Sequence, residues 1–142
     1  MPHVDNRPVK LWLFTISVVV LVLIVFGGFV RLSQSGLSMV EWDIITGIIP
    51  PIGEEAWQSA FEKYRQTPEF KQINTSMTVQ AYKTIYLIEF THRLIARLAG
   101  LMVILPLVYF LLKGLIPRRQ SLPYLAIGVL FVLQGLFGWY MV

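Results

Sequence analysis

The sequence predicts an all-α integral membrane protein with three transmembrane helices. Two observations carry that prediction. The chain of 142 residues is 56% hydrophobic and only 14% charged, with a mean hydropathy of +0.65, whereas soluble domains average about 25% charged residues. The apolar residues also fall into long runs, and about 20 in a row cross a hydrocarbon core of about 30 Å.

The first run, Leu11–Val30, has no charge. It is longer than the roughly 7–15 apolar residues of a signal peptide core, and no small-residue cleavage site follows it. It reads as an uncleaved anchor. The short leader before it contains Asp5 and leaves no room for an Arg-rich, acid-poor transit peptide. A bacterial inner membrane is therefore expected ahead of a mitochondrial one. The second run, Thr84–Leu112, is polar in its first half. The third, Leu122–Val142, is uncharged. Arg7 and Lys10 flank the first run, and Lys113, Arg118 and Arg119 fill the short loop 113–121. The positive-inside rule places both clusters and the N-terminus (1–10) in the cytoplasm, with residues 31–83 outside. The basic residues of that outer loop are too scattered for nucleic-acid binding.

Within the outer loop, Pro50-Pro51 and Gly53 break the chain. Trp57, Phe61 and Tyr64 then recur at i, i+4 and i+7, the apolar stripe of a short amphipathic helix over 54–66, with Pro68 expected to end it. That helix either lies on the outer membrane surface as a lid or packs on the protein's own loops. Trp139 and Tyr140 fit an aromatic belt at the outer interface. No polar tail follows them, so more protein is expected beyond Val142.

The chemistry concentrates in Ile88-Glu89-Phe90-Thr91-His92-Arg93-Leu94-Ile95-Ala96-Arg97. Ionisable residues in a membrane helix are costly and mark functional sites by default. His92 is the only histidine outside the N-terminal tail, and Glu89 precedes it by one helical turn. An imidazole there suggests a metal or haem ligand with an acid–base partner. Plainer readings stand beside this one. Glu89 and Arg93, at i and i+4, are placed for an ion pair. Arg93 and Arg97 can snorkel to lipid phosphate. Ala96, Ala99 and Gly100, like Gly27-Gly28, can serve helix packing alone, and Gln134 an interhelical hydrogen bond. The cluster as a whole favours function. The absence of cysteine excludes disulfides, thiolate metal sites and iron–sulfur ligation by this chain.

An ordered series of segments adds a resemblance over about Arg7 to Val142. It comprises Gly27-Gly28-Phe29-Val30-Arg31-Leu32, Ser35-Gly36-Leu37-Ser38-Met39-Val40-Glu41-Trp42, Gly47-Ile48-Ile49-Pro50-Pro51, Trp57 through Tyr64, Thr67-Pro68-Glu69-Phe70, Glu89-Phe90-Thr91-His92-Arg93, and Gln134 through Val142. The series resembles the N-terminal part of the haem A synthase family, in its cysteine-free branch. The resemblance implies eight transmembrane helices in two four-helix bundles, of which this chain holds three helices. Each bundle offers a histidine pair to one haem. The C-terminal bundle holds a haem b cofactor, and the N-terminal bundle takes the substrate, haem O. A methyl group of haem O is oxidised to formyl by successive hydroxylations, giving haem A for terminal oxidases.

By the same resemblance His92 is an axial ligand of haem iron and Glu89 the glutamate needed for activity. Arg93 and Arg97 are partners for haem propionates. Haem O synthase and cytochrome oxidase assembly factors are the implied protein partners. The second N-terminal histidine belongs to a fourth helix, and His3 lies on the wrong side of the membrane to replace it. The chain alone is thus expected to be an incomplete and inactive oxidoreductase. The alternatives are a non-enzymatic, cytochrome b-like haem module that shares His92 between copies of a homo-oligomer, and a scaffold without a cofactor.

Overall fold

Five α-helices follow one another in a computed structural model that describes residues 7–41 and 46–140. They are α1 (Arg7–Leu32), α2 (Glu54–Arg65), α3 (Pro68–Gln72), α4 (Val79–Leu112) and α5 (Ser121–Tyr140), with short 3₁₀ turns at Thr46–Ile48 and Arg118–Gln120. There is no strand among the described residues. Three helices, α1, α4 and α5, are long and apolar enough to cross a membrane. His3, Asp5, Trp42 and the last two residues lie outside the described range.

Two of the long helices begin earlier than their apolar runs. α1 includes Arg7–Lys10 ahead of the run that hydropathy marks. The start of α4 at Val79 is set by Thr78, whose Oγ1 accepts from the Ala81 N–H at 3.3 Å. The helix adds Val79–Lys83 to the run that hydropathy marks. Its other end closes at Gly114, φ +69°. The Gly114 N–H donates to the Leu111 carbonyl and the Leu115 N–H to that of Phe110, at 3.2 and 2.9 Å, which is a Schellman cap. The end of α1 is built the same way, with the Ser35 N–H on the Val30 carbonyl at 3.0 Å. There Gln34 takes the left-handed position at φ +53°.

Pro68 corrects one expectation. It does not end the amphipathic helix, which stops at Arg65, but opens α3. Thr67 caps α3, accepting from the Phe70 N–H at 3.3 Å, with Pro68 at the first helical position.

The chain forms two compact units. One takes Met1–Ile24 and Ile95–Met141, the other Val25–Leu94 and the last residue. The first is held by apolar packing of Val9, Trp12 and Ile16 with Val103, Leu107, Phe110 and Ile116. Pro106 lies inside α4 and has no N–H for the carbonyl of Met102, four residues back. The Trp12 indole N–H supplies that bond at 2.8 Å. Gly128 lets α5 approach α4 closely, because a Cβ there would stand 2.9 Å from Leu107 Cδ2. Gln134 is exposed.

In the second unit the stripe of α2 meets the first turns of α4. Tyr64 stacks on Tyr82 at 5.0 Å, and Trp57 sets its edge to Tyr86 at 5.1 Å. Asn74 Nδ2 donates to the Tyr64 hydroxyl at 2.8 Å, and burial pushes that hydroxyl's pKa up. Lys83 bonds Glu54 at 2.8 Å and lies over the Trp57 ring. The Lys83 ammonium, by hydrogen bond and then charge, holds the exposed Glu54 carboxyl below its ordinary pKa.

Candidate functional site

Glu89, His92 and Arg93 of α4 fall within the unit Val25–Leu94, where the chain leaves α1 and turns back through residues 33–41, whereas Arg97 belongs to the other unit. Glu89 is 3% exposed and Arg93 7%. A carboxylate so deep needs donors on its lone pairs, and the turn after α1 supplies them. Glu89 Oε2 accepts from the Ser38 N–H at 2.8 Å, the Ser38 hydroxyl at 2.7 Å and the Met39 N–H at 2.9 Å. Its Oε1 accepts from Arg93 Nη2. The same guanidinium nitrogen donates to the Met39 carbonyl at 3.4 Å. The ion pair read from the i, i+4 spacing is present. Its unforeseen part is the backbone clamp on residues 50 and 51 positions earlier in the chain.

Around that clamp the turn is tied to itself and to its surroundings. The Ser38 hydroxyl lies 3.0 Å from the Ser35 carbonyl as well as on Glu89, so its single proton is shared. The hydroxyls of Ser33 and Ser35 are 2.8 Å apart. The Tyr82 hydroxyl lies 3.2 Å from the carbonyls of both Ser38 and Ala60, joining the turn to α2. Sequence reasoning missed Ser38 and Met39 as members of the site. Two of the donors are backbone N–H groups, which leave no mark in side-chain chemistry. The one available signal was the run Ser33–Ser38, with three serines beside a membrane segment.

His92 faces different neighbours. It is half-buried. Its ring stands edge-on to Phe26 at 5.9 Å, and Phe26 stacks on Phe29 at 6.0 Å. A Cβ placed on Gly27 would stand 3.2 Å from His92 Nε2, so the glycine leaves the imidazole its room. Arg97, one turn beyond Arg93 on α4, is half-buried. The structure therefore draws Glu89 and Arg93 into one network with Ser38 and Met39, and sets His92 in an aromatic cradle made by α1.

Among the described residues no three His, Cys, Asp or Glu side chains are grouped to hold a metal ion. Haem iron asks less of a chain, one imidazole nitrogen per axial position. Among the described residues His92 is the one imidazole, and Nε2 is its ring atom nearest to Gly27 of α1.

A family model described as cytochrome oxidase assembly protein matches residues 10–142. The chain belongs to this family. Its relatives in the family include a haem A synthase of Rickettsia bellii, 49% identical over 131 residues, which are 92% of this chain and 39% of that protein. A haem A synthase of Rickettsia felis is 50% identical over the same shares. One of Wolbachia pipientis is 48% identical over 139 residues, 97% of this chain and 42% of that protein. The chain thus spans about two fifths of the length of the curated relatives it matches. No solved structure matches it significantly. The family drawn from the motif series is the family found.

Proposed function

We propose that the chain forms part of a haem A synthase, which oxidises a methyl group of haem O to a formyl group, and that His92 is an axial ligand of the haem iron. The observation that carries this reading is the setting of His92. It is a half-buried imidazole between Phe26 and the bare backbone of Gly27, in a chain whose relatives are haem A synthases. The bound haem would supply the redox chemistry. The residues of this chain would hold and orient it, His92 at the iron and Arg97 toward a propionate.

Glu89 takes a positioning role in this reading. Its Oε2 is committed to three donors of the 38–39 turn and its Oε1 to Arg93, which favours an anchor over a proton carrier. Arg93, engaged by Glu89 and Met39, belongs to that anchor before it belongs to a propionate. A haem b site, a second histidine and the protein partners belong to the rest of the enzyme. The membrane proposed is the bacterial inner membrane, with the N-terminus cytoplasmic.

The test is an optical spectrum of the chain purified from membranes that make haem O, beside His92→Ala. A low-spin haem spectrum lost in the variant supports the assignment. A haem spectrum unchanged by the variant, or helical protein without haem in either sample, rejects His92 as ligand in this chain.

A further inference from the structure

The run Val25–Val30 of α1 carries no polar side chain. Phe26 and Phe29 stand three positions apart within it, as neighbours on the helix surface. Their rings lie nearly parallel, with centroids 6.0 Å apart and 11° between the planes. Phe26 also meets the His92 ring edge-on, with 64° between the planes. All three residues belong to the unit Val25–Leu94. The two rings thus make an aromatic path from the imidazole of α4 to Phe29, which is 50% exposed.

The clusters around Trp12 and Tyr64 hold neither ring among the described residues. The contact with His92 separates this pair from Val25 and Leu32, which are also exposed on α1. Whatever is held at His92 by an arm long enough to leave the ligand nitrogen has this surface beside it.

The chemistry of the surface limits what can lie on it. A propionate would find no cation or side-chain donor between Val25 and Val30. The amides there are committed inside a helix, and a charge without a partner is costly away from water. A hydrocarbon arm would find aromatic faces. Haem O and haem b share iron, macrocycle and propionates, but haem O carries a hydroxyfarnesyl tail where haem b has a vinyl group.

Resting on the assignment of His92 as a ligand of haem O, we propose that Phe26 and Phe29 are specificity-determining residues that receive the isoprenoid tail. The propionates then point away from this stretch of α1. In a bilayer the tail exchanges lipid for protein, so bulk hydrophobicity nearly cancels. The selection comes from dispersion and shape against two aligned rings, which amounts to about a threefold to tenfold preference.

The test is equilibrium binding of ferric haem O and ferric haem b to the chain in nanodiscs of one lipid. It is read from the haem absorption band, with binding to His92→Ala nanodiscs subtracted. The parent chain should hold haem O about threefold to tenfold more tightly than haem b. Phe29→Ala should bring that ratio close to one by weakening haem O alone. Phe29→Leu, which keeps the bulk and loses the ring, should fall between the two, and it carries the decision should the alanine variant fail to insert. Val25→Ala should keep the parent ratio. A parent ratio near one, or a ratio unchanged in both Phe29 variants, overturns this inference while haem lost in His92→Ala leaves the ligand assignment standing. Equal weakening of both haems would make the rings a general porphyrin contact and overturn it as well. Haem bound equally by His92→Ala, or bound by neither chain, removes the ligand assignment and this inference with it.

Discussion

Both units contain parts of helices long and apolar enough to cross a membrane, yet they hold together by different means. Residues 7–24 and 95–140 rely on aliphatic and aromatic packing around Trp12 and Phe110, joined by the bond from the Trp12 indole to the Met102 carbonyl. Residues 25–94 add to an aromatic cluster of Phe61, Tyr64 and Tyr82 a buried carboxylate that gathers backbone and side-chain donors from a turn some 50 positions away. The division runs through α4 itself, which changes character between Leu94 and Ile95. Apolar packing has many near-equivalent solutions. A buried ion pair with satisfied donors has few, and failure of one partner leaves the others unpaired. The polar unit is therefore the more precisely set and the more easily broken.

Glu89→Ala tests that contrast most severely. It strands Arg93 and the Ser38 and Met39 N–H groups in a buried place, at a cost of about 3–5 kcal/mol. Hydrogen exchange should rise at residues 35–41 and stay unchanged at 103–110. Equal rises in both segments would erase the distinction between the units. Trp12→Phe probes the apolar unit. It keeps most of the packing and removes the donor to Met102, and should cost about 1–3 kcal/mol in a mixed-micelle denaturation. A loss near zero would mean that the carbonyl beside Pro106 finds another donor. Gln34→Gly should sharpen the polar unit with a gain of about 1 kcal/mol, because the left-handed cap position penalises a side chain. The same denaturation, with the α1 helical content, reads it.

The smallest effect is the surface pair of Glu54 with Lys83. The Glu54 pKa is lower in the fold than in the unfolded chain. Its contribution is therefore present above the unfolded value and disappears as the pH falls through the folded one. Unfolding of Glu54→Gln should match that of the parent chain at low pH and fall slightly below it near neutrality. High salt should remove the difference.

Much of this was legible in the sequence. The apolar runs located α1, α4 and α5, and the spacing of Trp57, Phe61 and Tyr64 located α2, because burial imprints a period on residue type. The crowding of Glu89, His92 and Arg93 marked the site, because charge in a membrane segment demands compensation. What remained hidden lay in backbone partners. The donors on Glu89 are partly amides of Ser38 and Met39, and the acceptor for Trp12 is a carbonyl freed by Pro106. Pro68 was misread because a proline stops one helix and starts another with the same locked φ. Only the capping hydroxyl of Thr67 decides which.

The clamp on Ser38 and Met39 has a consequence for biosynthesis. The turn is made by the ribosome long before its acceptor, since Glu89 follows Ser38 by 51 residues. Until α4 enters the bilayer, those two amides have no carboxylate to meet. The loop can close only after insertion of the second long helix, so this short turn registers whether the hairpin has been threaded correctly. A nascent chain stalled before residue 89 should leave the turn open to protease, and one extended past Arg93 should protect it.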